Sequence, residues 1–381
     1  MTFTMDTKSK QLRDTLIRFD YSLALASVGI AIVGIIMVYS ATRVSLRLQG
    51  LNPNYYLERQ AIFVALGALV MVLVASIDYR KISMLAWVLY VGILLALIGV
   101  YVPHVGTTAL GAQRWYQLGP FQLQPSEFAT VAVILAIATY VDQVQAELTL
   151  KRTVLLLVLI GIPMILVVRQ PDIGTGLIIG VTSVGMFAAA RMPGRYLLAL
   201  AVMAVVGMYL VVHLGVLKTF QVDRLIAFVH QSTNSTSANG YNLTESKIAI
   251  GAGGVWGKGL FHGTQTNLAY VPEQQTDFIF TAVAEQLGFV GAGALLAGFG
   301  FVAWRIWRAM RWAKDDLGRV IVAGVFTLVV YSVFQNAGMT MGIMPITGIP
   351  LPFLSYGGSA MLTFFAGIGL VLNVGMRRAR S

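Results

Sequence analysis

Cysteine is absent from this chain of 381 residues, and histidine occurs only four times. The lack of cysteine excludes disulfide bonds, thiolate metal sites and cysteine nucleophiles. The four histidines stand far apart in the chain, without a metal-binding spacing such as H-E-x-x-H. Any chemistry must therefore use carboxylates together with Lys and Arg.

Charged residues are also scarce, at 11% of the chain against roughly 25% in a soluble globular protein. Hydrophobic residues make up 57%. This balance excludes a disordered chain, a coiled coil and a secreted module, and it predicts an all-α integral membrane protein. We expect a cytoplasmic N-terminal segment at 1–20, a single polytopic membrane domain at 21–376 and a cytoplasmic tail at 377–381.

Apolar runs of about 20 residues, long enough to cross roughly 30 Å of hydrocarbon, predict about ten transmembrane helices. The predicted spans are 21–42, 61–78, 83–103, 126–141, 153–168, 172–190, 196–215, 278–304, 319–341 and 359–376. The longest extracytoplasmic segment is then the loop 217–277, between spans seven and eight.

The net charge of +11 is divided unevenly between the two sides of these spans. The side that holds both termini carries 18 of the 27 Lys and Arg residues and eight of the 16 acids, which leaves it at +10 against +1 for the other side. The positive-inside rule therefore places both termini in the cytoplasm. Because orientation accounts for the basic balance, no nucleic-acid partner is implied.

Three polar clusters lie on the side opposite to the termini. They are Arg114 with Glu127, Arg169 with Asp172, and Glu273 with Asp277. Arg169 and Asp172 are expected to form an ion pair, and a helix starting at Pro272 would put Glu273 and Asp277 on one face. Acids near a helix start can also be plain dipole stabilisers. The convergence of the clusters on one side nevertheless predicts a functional site there.

Two features near these clusters each allow two interpretations. The Gly-rich segment 251–259 lacks the residues that nucleotide-binding loops require, so its backbone N–H groups and Lys258 either face a phosphate or form a tight re-entrant turn. Glu285 is expected within the hydrocarbon, where a carboxylate is costly. A functional role is the default there, and a purely structural hydrogen bond is the alternative.

Several strings identify a family resemblance that spans nearly the whole chain from Asp20 onward. They are GAQRWYQLG, QPSEF, RQPDIGTG, ESKIAIGAGGVWGKGL, HGTQ, VPEQQTDFIF, AEQLGF and MGIMPITGIPLPFLSYGGS. In this order they resemble the SEDS family (shape, elongation, division and sporulation) of bacterial peptidoglycan glycosyltransferases. GKGL, HGTQ and the PEQ form resemble the rod-shape-determining branch more than the division branch.

The chain departs from the pattern of this family at four positions. Thr130, Glu245, Gln275 and Gln286 stand where Lys, Gln, His and Glu are usual. Gln275 and Gln286 are therefore not expected to act as the acid or base. Asp277 and Glu285 match the pattern.

The resemblance implies that the protein polymerises lipid II in the bacterial cytoplasmic membrane. A hydroxyl of one lipid-linked disaccharide attacks the anomeric carbon of the growing chain and releases undecaprenyl diphosphate. Such a step needs a carboxylate that accepts the hydroxyl proton and cations that stabilise the diphosphate. Asp277 is the candidate base, because it is an acid at the outer mouth of a span beside the Gly-rich loop.

The candidate substrate-binding residues are those of the polar clusters and of the large loop. The diphosphate ligands would be Arg114, Arg169, Arg224, Lys247 and Lys258, and the other candidates are Glu127, Asp172, Glu273 and Glu285. Arg suits bidentate phosphate contacts. A divalent cation, Mg²⁺ or Mn²⁺, is expected to bridge Asp277 and the diphosphate.

Cross-linking of the glycan requires a second protein. Ser126 and Ser246 are followed three residues later by Ala129 and Ala249, so neither starts the S-x-x-K motif of a transpeptidase. The resemblance points to a class B penicillin-binding protein as the transpeptidase, together with other cell-elongation membrane proteins. Two other functional classes stay open, a lipid II flippase and a scaffold without activity.

Overall fold

The computed structural model describes residues 18–102, 106–109, 112–119, 121–144, 149–200, 202, 222, 224, 228 and 238–378. Most of these residues are helical, and one small sheet accompanies the helices. Seven helices are long and apolar enough to cross a membrane, and two shorter apolar helices lie among them. The chain is a multi-pass membrane protein of the all-α class, as the composition predicts.

The elements follow one another along the chain in this order. The first part contains α1 (Tyr21–Leu48), α2 (Tyr55–Ser76), α3 (Tyr79–Met84), α4 (Ala86–Gly99), β1 (Gly106–Ala109), β2 (Ala112–Leu118) and β3 (Phe121–Leu123). The second part contains α5 (Pro125–Val144), α6 (Leu150–Arg169), α7 (Ile173–Ala189), α8 (Ala238–Gly253), α9 (Thr264–Asn267), α10 (Ile279–Arg311), α11 (Asp316–Met341) and α12 (Gly358–Met376).

Most predicted spans coincide with one of these helices. The span predicted at 83–103 is broken at Leu85, between α3 and α4. The span predicted at 196–215 begins in a helical stretch at 194–200, and nearly all of its remainder lies outside the described residues. The count of ten therefore stays a prediction. Helix α1 continues to Leu48, beyond the predicted end at residue 42, and in its additional turns Arg43 donates to the carbonyl of Phe261 at 2.8 Å.

A three-stranded antiparallel sheet joins α4 to α5, which the all-helical prediction did not include. Strand β2 lies in the middle, with Trp115 opposite Thr107 of β1 and Tyr116 opposite Leu123 of β3. Gly119 turns the chain between β2 and β3 with φ +60°, a conformation that glycine adopts without strain. Because β3 contacts α12 and β2 contacts α5, the sheet lies across one end of the helices.

Helix α12 is the most buried of the membrane-length helices and packs against α2, α11 and α5. Glycines allow its close approach to α2, since a Cβ atom added at Gly369 would lie 2.7 Å from the carbonyl oxygen of Met71. Asn373 fixes the same pair of helices by donating to the carbonyl of Val74 at 2.6 Å. Close packing of this kind drives helix association in membranes.

The first and last described residues meet at one end of the helix bundle. Arg18 donates to the backbone carbonyl of Arg378 at 3.2 Å, and Arg305 near the end of α10 forms an ion pair with Asp20 at 2.6 Å. Helix α1 therefore starts where α10 and α12 end. We call this the terminal end of the bundle, and the first turn of α10 lies at the opposite end.

Helix α10 is interrupted at Gly288, which has φ +68° and ψ −168°. Near this kink the carbonyls of Glu285 and Gln286 accept from the backbone N–H groups of Lys258 and Gly259, both at 3.0 Å. The Gly-rich segment is therefore a tight turn packed on α10. Its interpretation as a phosphate-facing loop is wrong for these two N–H groups, because both are used in packing.

Candidate active site

A cavity of about 620 Å³ opens at the end of the bundle opposite to the terminal end. Its walls come from the first turns of α2, α5 and α7, the sheet, the turn before α10 and the segment between α11 and α12. The charged side chains that line it are Arg59, Arg114, Glu127, Asp172, Arg224, Glu273 and Asp277. All of these except Arg59 are residues that the sequence predicts for the site.

Asp277 is half-buried in the turn that leads into α10. Asn336 of α11 donates to the carbonyl of Asp277 at 2.8 Å and to that of Ile349 at 2.7 Å, so it ties this turn to the segment before α12. Burial raises the pKa of Asp277 to about 6, against the opposing effect of Arg224, and Glu273 adds to the increase. A carboxyl group with this pKa can accept a proton near neutral pH.

Arg224 lies beside Asp277, at the place where the backbone of Gly348 passes both. A Cβ atom added at Gly348 would lie 3.2 Å from Oδ2 of Asp277 and 3.8 Å from Nη1 of Arg224. Burial lowers the pKa of Arg224, and Asp277 opposes that change. A guanidinium remains protonated in proteins, so Arg224 supplies a fixed positive charge next to the carboxylate of Asp277.

Arg114 and Asp172 form a second charged pair at the cavity, with Nη1 and Oδ1 4.0 Å apart. The backbone carbonyls of Gln170 and Pro171 hold Arg114 at 2.8 and 2.5 Å. The expected ion pair between Arg169 and Asp172 is wrong, because Arg169 is exposed at the end of α6 and Arg114 takes its place. A cation from the sheet thus reaches the start of α7.

Asp172 has a structural task within this pair. It caps α7 by accepting from the backbone N–H of Thr175 at 3.1 Å, and its other oxygen accepts from Gln124 at 3.0 Å and Ser126 at 3.1 Å. A carboxylate at a helix N-terminus satisfies orphan N–H groups. Asp172 is therefore a buried joint between α5, α7 and the sheet, which holds Arg114 in position.

Glu127 lies in the first turn of α5, which begins at Pro125, one residue before the predicted span. Its carboxylate lines the cavity and has Asp172 and Asp277 as electrostatic neighbours. No described residue donates a hydrogen bond to it. Glu127, like Asp277, is thus a carboxylate of the cavity that is available to a ligand.

Glu273 reaches the cavity from a turn rather than from a helix. The expected helix start at Pro272 is wrong, because Glu273 has φ +48° and α10 begins only at Ile279. The N–H of Asp277 donates to the carbonyl of Glu273 at 3.2 Å. The two acids therefore do not share a helical face, and Glu273 is exposed at the rim.

Lys258 and Glu285 do not line the cavity. Nζ of Lys258 lies 3.7 Å from Oε1 of Glu285. Oε1 accepts from the backbone N–H of Gln265 at 2.8 Å, and Oε2 accepts from that of Thr266 at 3.0 Å. Glu285 is fully buried. Of its two interpretations, the structural hydrogen bond is the one that these contacts support. Lys247 of α8 also lies outside the cavity lining.

The described part of the site holds no preformed cluster of metal ligands. Among the described residues, no group of three or more His, Cys, Asp or Glu side chains could hold a metal ion. Asp277 and Glu127 offer carboxylate oxygens at the cavity. Such a donor set fits a divalent cation that shares one or two carboxylates with phosphate oxygens, which is the usual manner of Mg²⁺ binding.

The sequence did not single out the wall formed by α2 and the segment before α12. Tyr56 packs edge to face on Tyr356 at 4.8 Å and on Tyr55 at 5.1 Å, and the guanidinium of Arg59 lies 4.2 Å from the ring of Tyr55. The only signal for this wall in the sequence is that Arg59 follows Tyr55 and Tyr56 closely on the predicted outer side. This wall places apolar ring faces beside a positive charge.

The chain matches one family along almost its whole length. The model of the family of FtsW, RodA and SpoVE, described as "Cell cycle protein", matches residues 21–380. The chain belongs to this family. The SEDS resemblance inferred from the motifs is therefore confirmed.

Curated relatives of this FtsW/RodA/SpoVE family member include both branches. "Peptidoglycan glycosyltransferase MrdB" of Escherichia coli K12 is 37% identical over 323 residues, which cover 84% of this chain and 86% of the relative. "Probable peptidoglycan glycosyltransferase FtsW" of Geobacter metallireducens is 34% identical over 362 residues, which cover 94% and 95%.

Solved structures of family members share the fold. The rod shape determining protein RodA of Thermus thermophilus matches with a TM-score of 0.70 and 27% identity, over 95% of this chain and 98% of that chain. A chain from "Structural coordination of polymerization and crosslinking by a peptidoglycan synthase complex" matches with a TM-score of 0.78 and 27% identity, over 95% and 99%.

Proposed function

We propose that this SEDS protein is a peptidoglycan glycosyltransferase that polymerises lipid II for cell elongation. The observation that carries the proposal is the cavity, where Asp277 stands beside Arg224 with a pKa raised to about 6. The names of the family relatives, which are peptidoglycan glycosyltransferases, support the same activity. The 37% identity to MrdB and the GKGL, HGTQ and PEQ strings favour the rod-shape branch.

The cavity residues divide into groups that fit the two halves of the reaction. The oxygen of the acceptor 4-hydroxyl bonds to the anomeric carbon of the growing chain, and Asp277 accepts the proton of that hydroxyl. The bond from that carbon to the diphosphate breaks, and undecaprenyl diphosphate leaves with inversion. Arg114 and Arg224 stabilise the negative charge on the leaving group.

We propose a divalent cation as the further counter-charge for the diphosphate. Asp277 and Glu127 are the cavity residues that would hold it, and it would supply Lewis-acid neutralisation of the leaving group. We expect polymerisation to cease after thorough chelation and to return when Mg²⁺ or Mn²⁺ is added. Undiminished turnover in chelator would show that the arginines suffice.

The substrate and the charge distribution support one orientation in the bacterial cytoplasmic membrane. Arg18 and Arg378 lie at the terminal end, on the side for which the sequence predicts the excess of Lys and Arg, and the cavity lies at the opposite end. We propose that the terminal end is cytoplasmic and that the cavity faces the outside. Lipid II would then reach it from the outer leaflet.

We propose a class B penicillin-binding protein as the cross-linking partner, together with other membrane proteins of cell elongation. The similarity to a chain from a peptidoglycan synthase complex supports this partner. Co-purification from native membranes should recover a penicillin-binding protein, and adding it should change the polymerisation rate. If neither is observed, the partnership fails while the polymerase assignment stands.

The test of the activity is polymerisation of lipid II by the purified protein, with wild type compared with Asp277→Asn. Polymer from wild type but not from the variant supports the polymerase. Lipid II movement across vesicles without any polymer would identify a flippase, and full function in cells with Asp277→Asn would identify a scaffold. Round cells after depletion indicate the elongation branch, whereas filaments would indicate the division branch.

A further inference from the structure

Arginine and tryptophan side chains form a cluster at the terminal end, far from the cavity. It comprises the last turns of α10 and the residue Arg378 that follows α12. We define the Arg/Trp patch as Trp304, Trp307, Arg308, Arg311, Trp312 and Arg378. Its three tryptophans are 39–46% exposed.

The patch is ordered by stacking of guanidinium groups on indole rings. Cζ of Arg308 lies 4.1 Å from the ring centroid of Trp312, and Cζ of Arg378 lies 5.0 Å from the same centroid. Trp304 flanks Arg308 from one turn earlier, at 5.7 Å. Because Arg308 and Arg378 share one indole, their guanidinium carbons are at most about 9 Å apart. Two guanidinium groups that lie within this limit on one side of the ring can donate to a single phosphate group at ordinary hydrogen-bond lengths.

These cations lack a protein counter-charge among the described residues. Other arginines at this end have one, since Arg305 pairs with Asp20 and Arg319 pairs with Asp316. No described carboxylate lies within ion-pair distance of Arg308, Arg311 or Arg378. Arg18 donates to the carbonyl of Arg378 and brings a further positive charge to the same place. Among the described residues, no carboxylate therefore neutralises the positive charge of the patch.

The patch lies where a membrane would end. After the kink at Gly288, residues 289–311 extend for about 35 Å at about 1.5 Å per residue, slightly more than the roughly 30 Å of hydrocarbon. The segment 304–312 therefore reaches the lipid headgroups. Tryptophan is enriched at that level, where its apolar ring meets lipid and its N–H meets polar groups.

We propose that the Arg/Trp patch binds the phosphate headgroup of an anionic phospholipid in the leaflet at the terminal end. Arg308 and Arg378 donate hydrogen bonds to the phosphate oxygens, and the indoles of Trp304 and Trp312 pack against the glycerol and upper acyl groups. Basic pockets at the ends of transmembrane helices bind anionic headgroups in this manner. The site is independent of the polymerase activity.

The first test uses the unmodified protein. Full-length protein in detergent is titrated with phosphatidylglycerol or phosphatidylcholine, and bound lipid is measured by native mass spectrometry. We expect at least tenfold tighter binding of phosphatidylglycerol. Equal binding of the two lipids would overturn the proposal. Inorganic phosphate that displaces phosphatidylglycerol at equal concentration would overturn the lipid assignment, since the site would then bind a free anion.

The second test locates the site with variants. Arg308→Gln with Arg378→Gln should weaken phosphatidylglycerol binding about thirtyfold, because each juxtamembrane cation contributes about 1 kcal/mol and 1.4 kcal/mol is a factor of ten. Trp312→Leu keeps both charges but removes their shared ring, and it should also weaken binding. Lys81→Gln, an exposed cation on the same side outside the patch, is the control. A loss in Lys81→Gln equal to that of the double variant would show diffuse attraction and overturn the site.

Discussion

Asp277 combines the three properties that a general base for glycosyl transfer needs. It lies in a charged cavity, Asn336 holds its backbone at 2.8 Å, and its pKa is raised towards neutrality. Replacement of Asp277 by Asn should therefore remove the proton acceptor and keep the shape of the site.

Asp277→Asn should reduce the rate of lipid II polymerisation by about 10²–10⁴-fold, because removal of a general base typically costs this much. The measurement is polymer length and rate with purified protein. Glu58→Gln is the matched control, since Glu58 is an exposed acid of α2 outside the cavity lining. Comparable rates for Asp277→Asn and Glu58→Gln would remove Asp277 from the mechanism.

The pKa of Asp277 predicts the acid limb of the pH profile. Burial raises this pKa to about 6, and a cation held by Asp277 would lower it again; because a base acts only when ionised, activity should fall as the pH drops, with a midpoint no higher than about 6. Turnover is measured in buffers from pH 5 to 8 at saturating lipid II. The residual rate of Asp277→Asn should lack this step; a variant whose rate keeps the wild-type dependence on pH contradicts the assignment.

At the scale of elements, the segment between α11 and α12 packs against Asp277, the proposed base. Gly348 has φ +75°, and a Cβ atom there would press on Asp277 at 3.2 Å. Gly50, between α1 and α2, has φ +72° with nothing within 4 Å. The two glycines therefore share a backbone conformation and differ in their surroundings.

Gly348→Ala and Gly50→Ala should each lose about 1–2 kcal/mol of stability, the usual cost of a left-handed conformation for an L-residue. Only Gly348→Ala should also lose polymerase activity, because its methyl group displaces Asp277 or Arg224. Melting temperature and turnover are measured for both. Equal activity in the two variants would mean that the wall tolerates the methyl group and does not position the base.

The support of α10 by α9 is a second element-scale feature. Glu285 accepts from two backbone N–H groups of α9, and Thr266 Oγ1 donates to it at 2.7 Å. Gln274, three residues before Asp277, donates to the same Thr266 Oγ1 at 3.3 Å and to Thr281 at 2.8 Å. The turn that carries Asp277 is thus linked to Glu285 by hydrogen bonds.

Glu285→Gln should lower the free energy of unfolding by about 1.5–3 kcal/mol, the range for a hydrogen bond to a charged group, because an amide cannot accept with both of its termini. The turnover should fall less than in Asp277→Asn, since Glu285 is outside the cavity. Thermal unfolding in detergent measures the first effect, with Glu245→Gln of α8 as control. An unchanged melting temperature would show that the contacts to α9 contribute nothing.

For the whole molecule, the orientation in the membrane is the open prediction. The chain has no cysteine, so single cysteines can be introduced without background. Asn52→Cys lies in the exposed turn between α1 and α2, and Lys314→Cys lies in the exposed turn between α10 and α11. In intact cells an impermeant thiol reagent should label the first and not the second. The reverse pattern would invert the topology.

The sequence by itself determined the membrane class, most spans and the family. A helix that crosses about 30 Å of hydrocarbon must satisfy its backbone groups internally, so span length and apolar composition are local properties that a sequence displays. The sidedness of the charges is equally local. The motifs around Asp277 and Glu127 were also visible, because these residues follow one another within short strings.

Only the tertiary structure decided which charges meet. Arg114 from the sheet and Arg224 from the large loop converge on Asp277, whereas Lys258 and Glu285, which stand in equally suggestive strings, pair with each other outside the cavity. Local patterns give each residue its side of the membrane but not its neighbours there. Those neighbours depend on contacts between distant segments, such as the packing of the Gly-rich turn on the kink of α10. A charged side chain needs a partner only when packing has buried it, so the sequence alone does not show which charges pair.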